Sequence, residues 1–179
     1  MSPAPTTTFL GHRVHADSAT ISKRFAFSSS HQLDGLSPEH PCSRLHGHNY
    51  EVEISFAGIP DEVGFVIDYR DLDPIKTYID GTLDHRHLND VVAFNPTAEH
   101  LATHLLTLVL SLLESKNDHG DPRMVHHIEV AVSETPKTWA RVGVDIPVPD
   151  PRDPRQVPNP HALDEDRYRW NFDTDGTAR

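Results

Sequence analysis

Two long stretches of the chain alternate apolar and polar residues with a period of two. In the first, Ile21, Lys23, Phe25, Phe27, Ser29 and His31 share one parity, which predicts a half-buried strand from Ile21 with His31 on its phenylalanine face. In the second, His46, His48, Tyr50, Val52, Ile54 and Phe56 fall on one face, while Asn49, Glu51, Glu53 and Ser55 fall on the other. Residues 32–43, with Gly35, Pro38, Pro41 and Cys42, form a loop between these strands that can cover a site.

The pattern then changes period. Asp68 is placed to cap a helix that buries Leu72, Ile75, Ile79 and Leu83, with Pro74 able to kink or shorten it. Thr97 is the expected N-cap of a longer helix whose stripe is Leu101, Leu105, Leu108 and Leu112. Alternation returns at Ile128, Val130 and Val132, a strand that delivers Glu134, and Trp139 to Val144 adds a last one. Residues 1–20 are rich in Ser, Thr, Ala and Pro without periodicity and are expected to be a flexible leader. Residues 145–179 hold six prolines between Pro147 and Pro160, then a polar mixture that includes Tyr168, Trp170 and Phe172, and are read as a tail. The expected folded domain is therefore 21–144.

Composition narrows the functional classes. A net charge of -11 opposes binding to nucleic acid, which needs clustered Lys and Arg to displace phosphate counterions. No stretch approaches the roughly 20 apolar residues of a membrane helix, and the single cysteine, Cys42, excludes an internal disulfide framework, so a cytoplasmic protein is expected. The histidines, 14 in all, occur in groups, at 46 and 48, 85 and 87, and 126 and 127, which suggests a metal.

Side chains two apart on a strand point the same way, so His46 and His48 can offer both imidazoles to one ion, with Gly47 leaving room between them. An antiparallel partner strand ending at His31 would close an open His₃ site of catalytic style. An isolated His-x-His is more often a surface feature or a satisfied core pair, and it is the third histidine that argues for a metal. Cys42, four residues before His46, is a candidate acid/base whose bland alternative is a small buried residue. Asp84-His85 pairs a carboxylate with an imidazole as a relay would, although such a pair also occurs as a helix-end cap. Glu134 could clamp a ring carrying N–H donors, and Glu99 is explained more simply by the helix dipole.

Taken in order, Phe27-x-x-x-His31, Cys42-Ser43-Arg44-Leu45-His46-Gly47-His48-Asn49-Tyr50, Leu83-Asp84-His85-x-x-Leu88-Asn89, Asn95-Pro96-Thr97-x-Glu99 and Ser133-Glu134-Thr135 resemble the 6-pyruvoyl-tetrahydropterin synthase and 6-carboxy-tetrahydropterin synthase family. The likeness spans about residues 21–144. The unbroken Cys-x-Arg-Leu-His-Gly-His run is similar to the bacterial carboxy-forming branch.

The resemblance implies an α+β tunnelling fold: an antiparallel four-stranded sheet with two helices on one face, sheets being joined into a barrel by homo-oligomerisation, commonly a hexamer of two trimers. It implies sites between subunits, with Zn2+ on His31, His46 and His48. Cys42 would be the proton-transferring thiol, Asp84 and His85 its partners, Glu134 the anchor of the pterin ring, and Thr97 and Glu99 further substrate-binding residues. The implied reaction takes 7,8-dihydroneopterin triphosphate to 6-carboxy-tetrahydropterin and acetaldehyde, feeding 7-deazapurine (queuosine-type) synthesis; without side-chain cleavage the product would be the pyruvoyl compound. A zinc- or pterin-binding module without turnover is the reading of another class, and retention of Cys42, Asp84 and His85 argues against it. A metal-dependent hydrolase lacks a clearly placed base. The leader, the tail and the segment Thr135 to Trp139 depart from the family pattern.

Overall fold

The structure, a computed structural model, describes residues 7–9, 12–14, 18–115 and 125–147. Strands β1 (Thr7–Phe9) and β2 (His12–Val14) pair as a short antiparallel hairpin inside the segment expected to be a leader. Strands of three residues are too short to show a period, which is why the alternation missed them. Most of the expected tail lies outside the described residues, as do Tyr168, Trp170 and Phe172. Its first residues are ordered, because strand pairing extends to Asp145 and the Ile146 N–H donates to the His126 carbonyl at 2.9 Å.

The main sheet has four antiparallel strands in the order β3 (Ala19–His31), β4 (His46–Gly58), β5 (Val125–Thr135) and β6 (Thr138–Asp145), so β3 and β6 are its edges. The β3–β4 register is unbroken from Ala19 opposite Gly58 to His31 opposite His46. It fixes the faces. Phe25, Phe27, Tyr50, Val52, Ile54 and Phe56 are buried on the helical side together with Ile128, Val130 and Val132. The other face carries Arg24 on Glu53 at 2.6 Å and Arg141 on Glu129 at 2.7 Å.

The helix expected from Asp68 to Leu83 is three segments. Asp68 accepts the Arg70 N–H at 2.9 Å and so caps a tight 3-10 turn, Tyr69–Leu72. Pro74, lacking an N–H, then sits in the first turn of α1 (Asp73–Tyr78), where none is needed, and a π turn, Ile79–Leu83, follows. Leu72, Ile75, Ile79 and Leu83 are all buried despite the breaks. After α2 (Leu88–Val91), the 18-residue α3 (Ala98–Ser115) packs on β5 and β6. Its deepest residues are Leu101, Ala102, Leu105, Leu106 and Val109; the expected Leu108 and Leu112 are only partly buried at the margin. Among the described residues no helix is long and apolar enough to cross a membrane.

Candidate active site

The β3–β4 register puts His31 opposite His46 and Ser29 opposite His48, with all three imidazoles on the helical side. One ligand atom from each lies within 4.8 Å of the others. His31 is 1% exposed, and its Nδ1–H donates to the Pro96 carbonyl at 2.8 Å. The His46 Nδ1–H donates to the Arg44 carbonyl at 2.7 Å. Each carbonyl fixes the tautomer of its ring, so the lone pairs of the two Nε2 atoms face one another at 3.0 Å. Two lone pairs at that separation repel unless a cation sits against both, and about 3.3 Å is the edge of a tetrahedron of imidazole nitrogens around zinc. The donor set therefore fits a metal ion.

Burial disfavours the imidazolium at this centre. It is the main cause holding His31 below the ordinary histidine value, with His46, His48 and His87 adding like-charge repulsion; the Pro96 carbonyl opposes the shift. His48 is lowered too, by burial and then by His46. Both effects leave neutral rings with lone pairs to donate.

Gly47 has a different purpose from the one expected. A Cβ there would meet the Ser29 carbonyl oxygen at 3.1 Å, a tight approach, so glycine at this position eases the passage of β4 past the backbone of β3.

Glu134, at the end of β5, is brought to this centre, with Oε1 4.0 Å from His31 Nε2. Burial raises its pKa, the Glu99 carboxylate adds to the rise, and His46 opposes it. Thr97 Oγ1 accepts the His100 N–H at 3.3 Å, the bond of an N-cap, and Glu99 stands in the first turn of α3. The motif from Asn95 to Glu99 thus frames the centre from the helix side, through the Pro96 carbonyl and the Glu99 charge.

Cys42 and Asp84-His85 are not joined to the three histidines by any hydrogen bond, ion pair or ring contact. Cys42 is half-buried in the 3-10 turn Pro41–Ser43, its N–H donating to His40 Nδ1 at 3.1 Å and its carbonyl accepting the Leu33 N–H at 2.8 Å. Asp84 and His85 lie along the outer edge of β3. The Ser28 N–H donates to Asp84 Oδ1 at 2.8 Å, and the His85 N–H donates to the Ser28 carbonyl at 2.7 Å. The bond from the Ser28 N–H, and after it the one from the His85 ring, hold the Asp84 carboxyl below its ordinary range. His85 Nδ1 is 2.8 Å from Asp84 Oδ2, the geometry of an oriented imidazole. His85 is the one non-glycine with positive φ among the described residues, at 57°.

Three further features escaped the sequence pattern. Tyr50 is fully buried, packed edge-on to the rings of His31 and His48, and its hydroxyl has no hydrogen-bond partner among the described residues. Asn89 and Asn95 each clamp the loop after His31: Asn89 bonds both the N–H and the carbonyl of Gln32, at 2.9 and 2.8 Å, and Asn95 those of Asp34, at 3.0 and 3.1 Å. Their presence in the motifs Leu83 to Asn89 and Asn95 to Glu99 was the available signal.

Comparison with known proteins agrees with this geometry. The family model described as 6-pyruvoyl tetrahydropterin synthase matches residues 20–144. A 6-carboxy-5,6,7,8-tetrahydropterin synthase of Bacillus subtilis is 32% identical over 133 residues, covering 70% of this chain and 85% of the relative. One of Rickettsia felis is 34% identical over 104 residues, covering 46% and 74%. Among solved structures, the Caenorhabditis elegans 6-pyruvoyl tetrahydropterin synthase superposes with a TM-score of 0.55 at 24% identity, over 73% of this chain and 96% of that one, a likeness that bears on the fold. A match over most of the chain, with the four-stranded sheet and the three-histidine centre it carries, shows that the chain belongs to the 6-pyruvoyl tetrahydropterin synthase family.

Proposed function

We propose that the chain is a zinc-dependent lyase that converts 7,8-dihydroneopterin triphosphate and water to 6-carboxy-5,6,7,8-tetrahydropterin, acetaldehyde and triphosphate, in 7-deazapurine (queuosine-type) synthesis. The observation that carries this reading is the meeting of His31, His46 and His48 with Glu134 at one end of the sheet. The carboxy product is preferred because the relatives at 32–34% identity with the larger coverage bear that name. The pyruvoyl product is the alternative outcome of the same site.

Zinc held by the three imidazoles would supply Lewis acidity toward the oxygens of the substrate side chain. Glu134 fits the role of ring anchor, a half-buried carboxylate able to accept from N–H donors. The Cys42 thiolate would take the proton from the adjacent side-chain carbon, and Asp84-bound His85 would hold or return a proton. Within one chain Asp84 and His85 lie on the outer edge of β3, whereas the histidines face the helices. That separation supports a homo-oligomer in which one copy brings Asp84-His85 to the centre of another, in keeping with a barrel of trimers and a hexamer.

The Cys42→Ala variant separates this reading from a binding module. An enzyme loses turnover and keeps its affinity for 7,8-dihydroneopterin triphosphate. Equal behaviour of variant and parent, with substrate bound and unchanged in both, would establish the module.

A further inference from the structure

The same edge of β3 carries a groove of about 600 Å³, lined by Ser28, Ser30, Asn49, His85, Arg86 and His87 among others. Ser28, Ser30 and Asn49 have the parity of the sheet face opposite the three histidines of their own chain, and the lining also takes in His48. Its backbone is anchored: the Ser30 N–H donates to the Arg86 carbonyl at 3.0 Å, and Ser30 bridges to His87 in parallel register. The Arg86 side chain is left free to act, since its guanidinium has no hydrogen bond or ion pair among the described residues.

The lining supplies hydrogen-bond donors well in excess of acceptors. The Ser28 hydroxyl donates to Asn49 Oδ1 at 2.8 Å, which leaves the Asn49 NH₂ open. His87 Nδ1 lies 3.2 Å from Ser30 Oγ, and the His85 Nδ1–H donates to Asp84 at 2.8 Å, which leaves the His85 Nε2 as an acceptor. No carboxylate lines the groove; Asp84, beside it, is already engaged by the Ser28 N–H and His85. An unpaired planar guanidinium, an amide NH₂ and serine hydroxyls, with space for several groups, suit an anion with many oxygens. In a chain of net charge -11 such a place is an exception that a multiply charged ligand would find.

We propose that this groove is a polyphosphate site, with Arg86 as its principal contact, holding the triphosphate tail of the pterin substrate. The identification of the tail rests on the function proposed above, because the groove adjoins the Asp84-His85 pair; the affinity for polyphosphate does not.

The test titrates inorganic tripolyphosphate into the zinc-loaded full-length protein by calorimetry, with Arg86→Ala and Arg86→Lys in parallel, so that any extraction of zinc is common to all three. Arg86 is exposed and acts in the fold through its backbone carbonyl, so both variants should fold. Binding should weaken about tenfold or more in Arg86→Ala and recover in part in Arg86→Lys. The KM for 7,8-dihydroneopterin triphosphate should rise in step while kcat stays within about twofold, and affinity for unphosphorylated 7,8-dihydroneopterin should not change. Tripolyphosphate that fails to bind at millimolar concentration, or binds Arg86→Ala and parent equally, would overturn the site. Arg86-dependent binding of tripolyphosphate by a protein that does not turn over the pterin triphosphate would sustain the groove and refute the proposed function.

Discussion

His31 and His46 face one another across the terminal rung of the β3–β4 ladder with their Nε2 atoms 3.0 Å apart, each ring turned to that position by a backbone carbonyl. Pro96 and Arg44 contribute no ligand atom, yet their carbonyls decide which nitrogen each ring presents.

Removing one of the three imidazoles should therefore remove the metal. His31→Ala, His46→Ala and His48→Ala are each expected to lower bound zinc from one per chain to near zero by elemental analysis, and to abolish the rise in Tm that zinc gives the parent. In the parent, burial holds His31 and His48 below the ordinary value of 6.5. Protonation competes with the metal only as pH falls below that value, so zinc should be retained at pH 7 and released on acidification. Retention of zinc by all three variants would refute the assignment.

Tyr50 offers a test of packing at the same place. A buried hydroxyl without a partner costs about 1–3 kcal/mol, so Tyr50→Phe should leave the metal-free protein as stable as the parent or more stable by about 1 kcal/mol in urea unfolding. A clear loss of stability would mean that the hydroxyl is satisfied in solution.

Glu134 should trade stability against binding. Its pKa is raised on folding, so the folded state holds that proton more tightly than the unfolded one. The resulting penalty is fully present above the folded pKa and fades as pH falls toward the ordinary value of 4.5. Glu134→Gln should then raise the Tm of the metal-free protein by about 1–3 °C at pH 7, with little gain near pH 4, while weakening the binding of 7,8-dihydroneopterin. Unchanged pterin affinity in this variant would remove Glu134 from the site.

On the helical layer, His104 Nε2 lies 2.7 Å from the Tyr78 hydroxyl, and burial lowers the pKa of its ring. The unfolded chain takes this proton first, so stability is lost as pH drops below 6.5 toward the folded value. His104→Gln should flatten this part of the acid limb in metal-free protein, measured by urea unfolding between pH 7 and 5. An unaltered pH profile would place the acid sensitivity at His31 and His48 alone.

The sheet was legible because period-two alternation over Ile21 to His31 and His46 to Phe56 leaves one register that buries both apolar faces, and that register alone aligns three histidines. The broken helix was less so. Leu72, Ile75, Ile79 and Leu83 keep spacings of three and four residues through a 3-10 turn, a short helix and a π turn, and periodicity does not distinguish these. The purpose of Gly47, the carbonyls behind His31 and His46, and the clamps from Asn89 and Asn95 depend on backbone atoms brought together by tertiary folding, which side-chain pattern does not encode. The position of Asp84 and His85 on the outer edge of β3 was illegible for the same reason, since it is set by the backbone of Ser28.

The most direct measurement incubates the zinc-loaded protein with 7,8-dihydroneopterin triphosphate and identifies the pterin and any acetaldehyde by mass spectrometry. The expected result is 6-carboxy-5,6,7,8-tetrahydropterin with an equal amount of acetaldehyde; a pyruvoyl-tetrahydropterin without acetaldehyde, or unchanged substrate, would contradict it.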